Sequence, residues 1–200
     1  MPRAFTDQER ETIRRQLLDA GREYLQTYGI RKTNIEDLTR AAGISKGAFY
    51  TFFDSKEELF LEVLERAEVE LREQLLAYTL QPGRSARDNF RQLLRDAFAV
   101  WEGSAFLRNF DQEDMALLVR NIPHERVMEH IARDDAFVDQ VIAAWNSEGI
   151  RFTRDPHAIS GLMKALFFVS LHRDDFGADI YPDTMELLIE LVASYLVDEQ

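Results

Sequence analysis

Residues 35–59 read IEDLTRAAGISKGAFYTFFDSKEEL, and this stretch decides the fold of the N-terminal part of the chain. Across residues 35–42 the apolar side chains recur at steps of three and four, the period of one helix face, and Gly43 follows at once. A glycine there is typical of a helix end, because it adopts left-handed backbone at little steric cost. Ser45 is a good N-cap for a further helix that continues to about Phe52. The stretch therefore predicts a helix-turn-helix.

The helical pattern continues on both sides of this motif, without strand-like alternation. Upstream, an amphipathic helix is predicted to end at Gly29, and Thr33 is predicted to begin the next helix in a capping box. Downstream, a capping box at residues 55–58 opens a long helix that Pro82 and its neighbours break. Further helices are predicted at about 85–103, 105–110, 112–120, 124–147, 156–173 and 183–198. The predicted fold class is all-α, with about nine helices in two domains: a three-helix head at 8–56, with the motif at about 34–53, and a helical-bundle body at 57–200.

Composition excludes several classes of protein. The chain has 200 residues, 46% of them apolar and 30% charged, which is typical of a globular protein and not of a disordered tail. Cysteine is absent, so no disulfide, thiol nucleophile or cysteine-ligated metal is expected. We find no signal-peptide pattern and no apolar segment long enough to span a bilayer, and we expect a cytoplasmic protein without membrane contact.

The charge is unevenly distributed along the chain. Its net value of −12 argues against a nucleic-acid partner, because a polyanion repels a protein of the same sign. Residues 1–56, however, hold ten Lys or Arg against eight Asp or Glu, a net of +2, and residues 57–200 hold 14 against 28, a net of −14. The head is therefore the part of the chain that a nucleic acid could approach.

The second helix of the motif has the composition of a DNA-reading element. One face is predicted to be small, polar and basic, formed by Ser45, Lys46, Gly47, Ala48 and Thr51. Phe49, Phe52 and Phe53 supply the opposite, buried face. In a helix-turn-helix the second helix enters the major groove and the first lies across the backbone. Because this helix lacks the Arg, Asn and Gln that pair bidentately with purines, we expect direct readout from Lys46 and from thymine-methyl contacts, with DNA shape supplying the rest.

The same residues resemble the DNA-binding core of the TetR family of transcriptional repressors. An Ala-Gly-Ile turn, a small-residue helix with Tyr50 and the paired phenylalanines after it, and Lys56 three residues before a leucine follow the family pattern in order and spacing. The resemblance is strong over about residues 10–70. It implies a double-stranded DNA operator as partner. The DNA contacts that it implies are Thr33, Ser45, Lys46, Gly47, Ala48, Tyr50, Thr51 and Lys56, with Thr33, Tyr50 and Lys56 on phosphates.

The resemblance also implies what the body does. Family members bind palindromic operators as homodimers through their last two long helices and are released by a small effector held in an apolar cavity. We expect no other cofactor, and we expect a neutral or cationic effector in so acidic a body. The predicted dimer residues are Leu162, Leu166, Val169, Leu188, Val192 and Tyr195. The predicted pocket residues are Trp101, Phe106, Phe110, Trp145, Phe168 and His172.

Two other classes of function stay open from the sequence. An acidic helical protein could bind another protein and no DNA, but it would not need Lys46, Tyr50 and Lys56 together. A helical-bundle enzyme is the second alternative, since His124 and His130 bracket two glutamates. Their spacing fits neither a zinc-helix motif nor a di-iron motif, and a solvated helix face explains them better. We therefore predict no catalytic and no metal-binding residue.

Overall fold

The computed structural model describes residues 5–78, 80–104, 110–148 and 150–198, and in these ranges the chain is helical, as predicted. Ten helices lie in the described part of the chain. They are α1 (Asp7–Lys32), α2 (Ile35–Ala41), α3 (Lys46–Phe49), α4 (Lys56–Leu76), α5 (Ala86–Gly103), α6 (Gln112–Asn121), α7 (His124–Ser147), α8 (Pro156–Leu171), α9 (Arg173–Phe176) and α10 (Tyr181–Leu196). The sequence did not predict the short α9, and the helix predicted at 105–110 falls almost wholly outside the described residues. No described helix is long and apolar enough to cross a membrane.

The chain divides into two compact units. The first comprises Met1–Glu68 and Ser104–Pro123, and the second comprises Val69–Gly103 and His124–Gln200. The division falls inside α4, twelve residues after the predicted boundary at Lys56, and the first unit gains the segment that carries α6.

The first unit is built around the close approach of α1 and α4. A Cβ atom added at Gly21 on α1 would lie 2.5 Å from Cδ2 of Leu59 and 3.1 Å from Cγ2 of Val63, so α1 and α4 are in contact here and a larger residue would require the Leu59 side chain to shift. Leu38 of α2 and Phe49 of α3 are fully buried. Burial of such side chains contributes about 1.5–3 kcal/mol each and holds both short helices in place.

Local capping explains where the short helices begin. The backbone N–H of Ala48 donates to Oγ of Ser45 at 3.2 Å, which confirms Ser45 as the N-cap of α3. The prediction that Thr33 caps the next helix is wrong, since Asn34 does so by accepting from the N–H of Asp37 at 2.9 Å. Gly29 has φ +77°, so it interrupts regular helix near its predicted end, although helical turns continue to Lys32.

The second unit has an aromatic and aliphatic core between α5, α7, α8 and α10. Trp145 lies at its centre, where Phe90 and Tyr78 contact the indole ring with centroids 5.5 Å and 6.1 Å away. The C-terminal end of α10 is held by Thr153, whose N–H donates to the carbonyl of Leu196 at 2.8 Å. This arrangement leaves the outer faces of α8 and α10 at the surface.

Candidate nucleic-acid interface

A tight turn orients α3 relative to α2. Gly43 has φ +67°, in the left-handed region that favours glycine. The N–H of Gly43 donates to the carbonyl of Arg40 at 3.3 Å, and that of Ile44 donates to the carbonyl of Thr39 at 3.0 Å. These bonds satisfy the last carbonyls of α2 and reverse the chain within three residues. The helix-turn-helix predicted from residues 35–59 is therefore present.

The predicted reading face is at the surface. Ser45, Lys46, Gly47, Tyr50 and Thr51 are exposed and Ala48 is half-buried, whereas the rings at 49 and 53 are buried beneath them. Nothing but Oγ of Ser45, at 4.0 Å, lies near the place where a side chain at Gly47 would begin. The exposed side of α3 thus carries short side chains, and a DNA groove could approach its backbone closely.

Two arginines of α1 hold the segment that follows α3. Arg10 Nη2 donates to the carbonyl of Thr51 and Arg14 Nη1 to the carbonyl of Phe52, both at 3.0 Å. Each guanidinium also lies over a ring, Arg10 at 5.1 Å from the Phe52 centroid and Arg14 at 4.5 Å from the Phe53 centroid. Neither role was predicted from the sequence, because each arginine lies 38 or 41 positions from the residue whose carbonyl it binds.

Acidic residues of α2 pair with the exposed cations of the motif. Lys46 Nζ lies 2.6 Å from Oε1 of Glu36, and Arg40 Nη1 lies 3.0 Å from Oδ1 of Asp37. The hydrogen bond from Lys46 lowers the pKa of Glu36 below its ordinary value, and the same bond raises the pKa of Lys46. Both side chains of this pair are at the surface, where phosphate oxygens could replace the carboxylate.

The structure alters the roles predicted for Thr33 and Lys56. Thr33 is only 2% exposed and its hydroxyl donates to the carbonyl of Gly29 at 2.8 Å, so its side chain is turned away from a phosphate ligand. Lys56 Nζ donates to the carbonyls of Ile30 and Thr33 at 3.0 Å and 2.8 Å. A cation at a helix C-terminus stabilises the helix dipole, so Lys56 joins α4 to the end of α1.

A second junction at the end of α1 was not predicted. The guanidinium of Arg31 pairs with Asp111, Glu113 and Asp114, and its Nε lies 3.1 Å from Oδ1 of the buried Asp114. Burial raises the pKa of Asp114, and the neighbouring Asp111 adds to that rise. Asp111 also caps α6 by accepting from the N–H groups of residues 113 and 114 at 2.9 Å. One arginine thus ties α1 to the start of α6.

The structure describes five of the six predicted pocket residues. Phe110 is buried in the first unit, and Phe106 lies outside the described residues. In the second unit, Trp145 is 4% exposed in the core and Phe168 is 52% exposed on the surface, and their assignment to a pocket stays a prediction.

Two of the pocket predictions remain compatible with a ligand site. Trp101 is half-buried, with its ring edge-on to Phe167 at 4.8 Å between centroids. His172 is half-buried at the end of α8 and its Nδ1 lies 2.8 Å from Oδ2 of Asp175.

The predicted dimer residues fall into two groups, one buried in the core and one at least partly exposed. Leu166 and Val192 belong to the core of the second unit, which corrects their assignment to an interface. Leu162, Val169 and Leu188 are half-buried, and Tyr195 is exposed. The apolar side chains that α8 and α10 do expose are Phe168, Leu187, Leu191 and Tyr195, each 52–59% exposed.

Of the residues that suggested an enzyme, three are exposed, whereas His130 is half-buried with its Nε2 3.8 Å from Oδ2 of Asp134. His124, Glu125 and Glu129 are exposed on α7. A solvated helix face accounts for these three residues, as the sequence analysis favoured.

Comparison with known proteins agrees with the geometry. Residues 17–63 match the family model described as bacterial regulatory proteins, tetR family. The chain is 33% identical over 73 residues to the HTH-type transcriptional regulator AcrR of Shigella flexneri, a stretch that covers 36% of this chain and 34% of AcrR. The chain therefore spans about a third of the length of that relative.

Solved structures extend the likeness over the whole chain. A TetR-family transcriptional regulator from Pectobacterium atrosepticum covers 98% of this chain and all of its own, at 20% identity and TM-score 0.67. SmeT, the repressor of the multidrug efflux pump SmeDEF of Stenotrophomonas maltophilia, covers 95% of this chain and 93% of its own, at 18% identity and TM-score 0.63. SmeT has also been solved in complex with triclosan. At these identities the likeness shows the fold.

Proposed function

We propose that this chain is a ligand-responsive repressor of the tetR family of bacterial regulatory proteins, whose family model residues 17–63 match. It binds a palindromic operator as a homodimer in the cytoplasm, and a small molecule bound in the body releases it from DNA. The family and the fold are those of transcriptional regulators, which as a class are not enzymes.

The exposed, short-chained face of α3 is the observation that carries this proposal. Its outer side presents Lys46, Gly47 and Thr51 above the buried ring of Phe49. The short side chains of this outer face add little to the core, but they allow the helix backbone to approach the floor of a major groove. Lys46 supplies the charge for a guanine or phosphate contact, and the exposed phenol of Tyr50 reaches a phosphate.

An exposed apolar surface on the second unit supports the homodimer. Phe168 on α8 and Leu187, Leu191 and Tyr195 on α10 form what we call the outer stripe. Exposed large apolar side chains grouped on two neighbouring helices are typical of an interaction site. Gly161 on α8 has open space where its Cβ would be, which allows a partner helix to approach closely. The partner is a second copy of this chain, which presents two heads to half-sites about 34 Å apart.

The effector acts by shifting the equilibrium between conformations of the body. A ligand that prefers one shape of the body stabilises that shape, and it weakens DNA binding if that shape misaligns the heads. The triclosan complex of SmeT is a precedent within this fold for a small aromatic ligand. The half-buried Trp101 and His172 are the remaining candidates for contact with such a ligand.

Selection of bound duplexes from a random DNA pool tests the proposal. The full chain should enrich a palindrome with half-sites about one helical turn apart, and its affinity should fall steeply with salt because phosphate contacts release counterions. Lys46→Ala should weaken binding and reduce the salt slope by about 0.9. Lys56→Ala should also weaken binding, but through the end of α1. A pool from which the folded protein retains no DNA at low salt would refute the proposal.

A further inference from the structure

The helix-turn-helix carries its own carboxylates opposite its exposed cations. Glu36 and Asp37 lie in the first turn of α2, and they pair with Lys46 at 2.6 Å and with Arg40 at 3.0 Å. Lys46 is the one Lys or Arg between residues 45 and 53, so its partner governs the charge that α3 presents. While the pair is intact, the start of α3 presents no net charge to DNA.

The Glu36–Lys46 pair is an exchangeable contact. Lys46 is 54% exposed and Glu36 is 53% exposed, and ion pairs at such exposed positions contribute little to stability. Glu36 has a second stabilising interaction, because a carboxylate in a first helical turn is favoured by the helix dipole. Glu36 can therefore remain at this place when Lys46 turns to another acceptor.

We infer that Glu36 is an internal competitor for DNA that limits the affinity of the head by occupying Lys46. This inference rests on the DNA-binding function proposed above. A phosphate or guanine oxygen must replace Oε1 of Glu36 at Nζ of Lys46, and the released carboxylate then lies unpaired beside a polyanion. Both effects oppose binding. They act on any DNA sequence, so Glu36 lowers non-specific binding as well as operator binding.

Charge-neutral variants test this role directly. Glu36→Gln keeps the size of the side chain and removes its charge, and Glu23→Gln is the matched control, with the same charge change at an exposed position of α1. The probes are the palindromic duplex selected above and a scrambled duplex of equal length, titrated between low and moderate salt. We expect Glu36→Gln to bind both duplexes about two- to fivefold more tightly than the original protein, the range that matches release of one surface pair.

A double-mutant cycle shows whether the effect passes through Lys46. In a Lys46→Gln background, Glu36→Gln should change affinity no more than Glu23→Gln does. In the Lys46-containing protein, Glu36→Gln should give the full two- to fivefold gain in affinity. Far-UV circular dichroism checks that each variant keeps its helices.

Three results would overturn the inference. Glu36→Gln could weaken binding, which would make Glu36 a residue that orients Lys46. It could match Glu23→Gln, or keep its full effect without Lys46, and either result would reduce its role to general repulsion. In all three cases the original protein still binds DNA, which separates them from failure of the proposed function, where the original protein binds neither duplex.

Discussion

Replacing Arg14 by glutamine should destabilise the first unit and weaken DNA binding together. Arg14 Nη1 donates to the carbonyl of Phe52 at 3.0 Å, its Nη2 pairs with Glu62, and its guanidinium lies 4.5 Å from the ring centroid of Phe53. The side chain therefore joins three elements of one unit: α1, the end of the motif, and α4. The uncharged amide of glutamine cannot make all three contacts.

The loss of unfolding free energy expected for Arg14→Gln can be estimated from these contacts. A hydrogen bond from a charged donor contributes about 1.5–3 kcal/mol, an exposed cation–π contact about 0.5–1, and a surface ion pair at most about 1. These contributions share one side chain and do not add fully, and Arg66, 3.4 Å from Glu62, retains part of the charge pairing. We therefore expect the free energy of unfolding to fall by about 2 kcal/mol.

Urea denaturation followed by far-UV circular dichroism measures this change. With a urea m-value of about 2 kcal/mol/M, a loss of 2 kcal/mol lowers the midpoint by about 1 M. Both tryptophans, Trp101 and Trp145, lie in the second unit, so their fluorescence follows that unit separately. Affinity for the selected duplex should also fall at 25 °C, because the segment that follows α3 loses one of its two hydrogen bonds to α1.

Arg15→Gln is the matched control for this experiment. Arg15 is the next residue of the same helix, is exposed, and undergoes the same change of charge. Its effect on the free energy of unfolding should stay within about 0.5 kcal/mol. If Arg14→Gln and Arg15→Gln unfold at the same urea concentration, the reasoning about the segment that follows α3 is wrong.

Three further changes separate the roles of other residues. Gly47→Ala should raise the free energy of unfolding by up to about 1 kcal/mol, because alanine favours helix. It should nevertheless weaken DNA binding, because it adds a methyl group to the exposed face of α3. Equal affinity of the two proteins in a binding titration would contradict this role. Leu191→Glu should convert the dimer to monomer in sedimentation at micromolar concentration, because it would bury carboxylates in the interface. Val119→Glu on α6 is the control and should leave the dimer intact. A dimer in both variants would refute the assignment of the outer stripe to the interface. The hydrogen bond from Lys164 lowers the pKa of Asp135, so this carboxylate stabilises the fold above its ordinary pKa, and that stabilisation disappears as pH falls through its lowered pKa. The gap in unfolding free energy between the original protein and Asp135→Asn, measured in urea, should therefore be widest at neutral pH and close in acid; a gap that does not change with pH would be evidence against this pair.

The spacing of apolar residues predicts which faces of α8 and α10 are buried less well than it predicts the helix-turn-helix. Along α8 and α10 the apolar residues form more than one stripe, and the period cannot tell which stripe faces the core. Leu166 and Val192 were predicted at an interface and are buried within the second unit, whereas Phe168, predicted in a pocket, is on the surface. The choice depends on which helices pack on each side, and that is a property of the assembled unit.

The sequence by itself determined the reading motif, because its signals are local. The cap at Ser45, the turn at Gly43 and the separation of short polar residues from the buried ring of Phe49 all involve groups within a few residues of one another. Such hydrogen bonds and helix faces form in the same way wherever the rest of the chain lies.

Only the tertiary structure decided which partner each charged side chain of the head takes. Lys56 binds carbonyls 23 and 26 residues away, Arg31 binds carboxylates about 80 residues away, and Lys46 takes Glu36 across the turn. A long charged side chain can reach several groups from its position in the sequence. The packed helices bring one of them within hydrogen-bond distance, and that placement ties Lys56 to the end of α1 and pairs Lys46 with Glu36 at the surface.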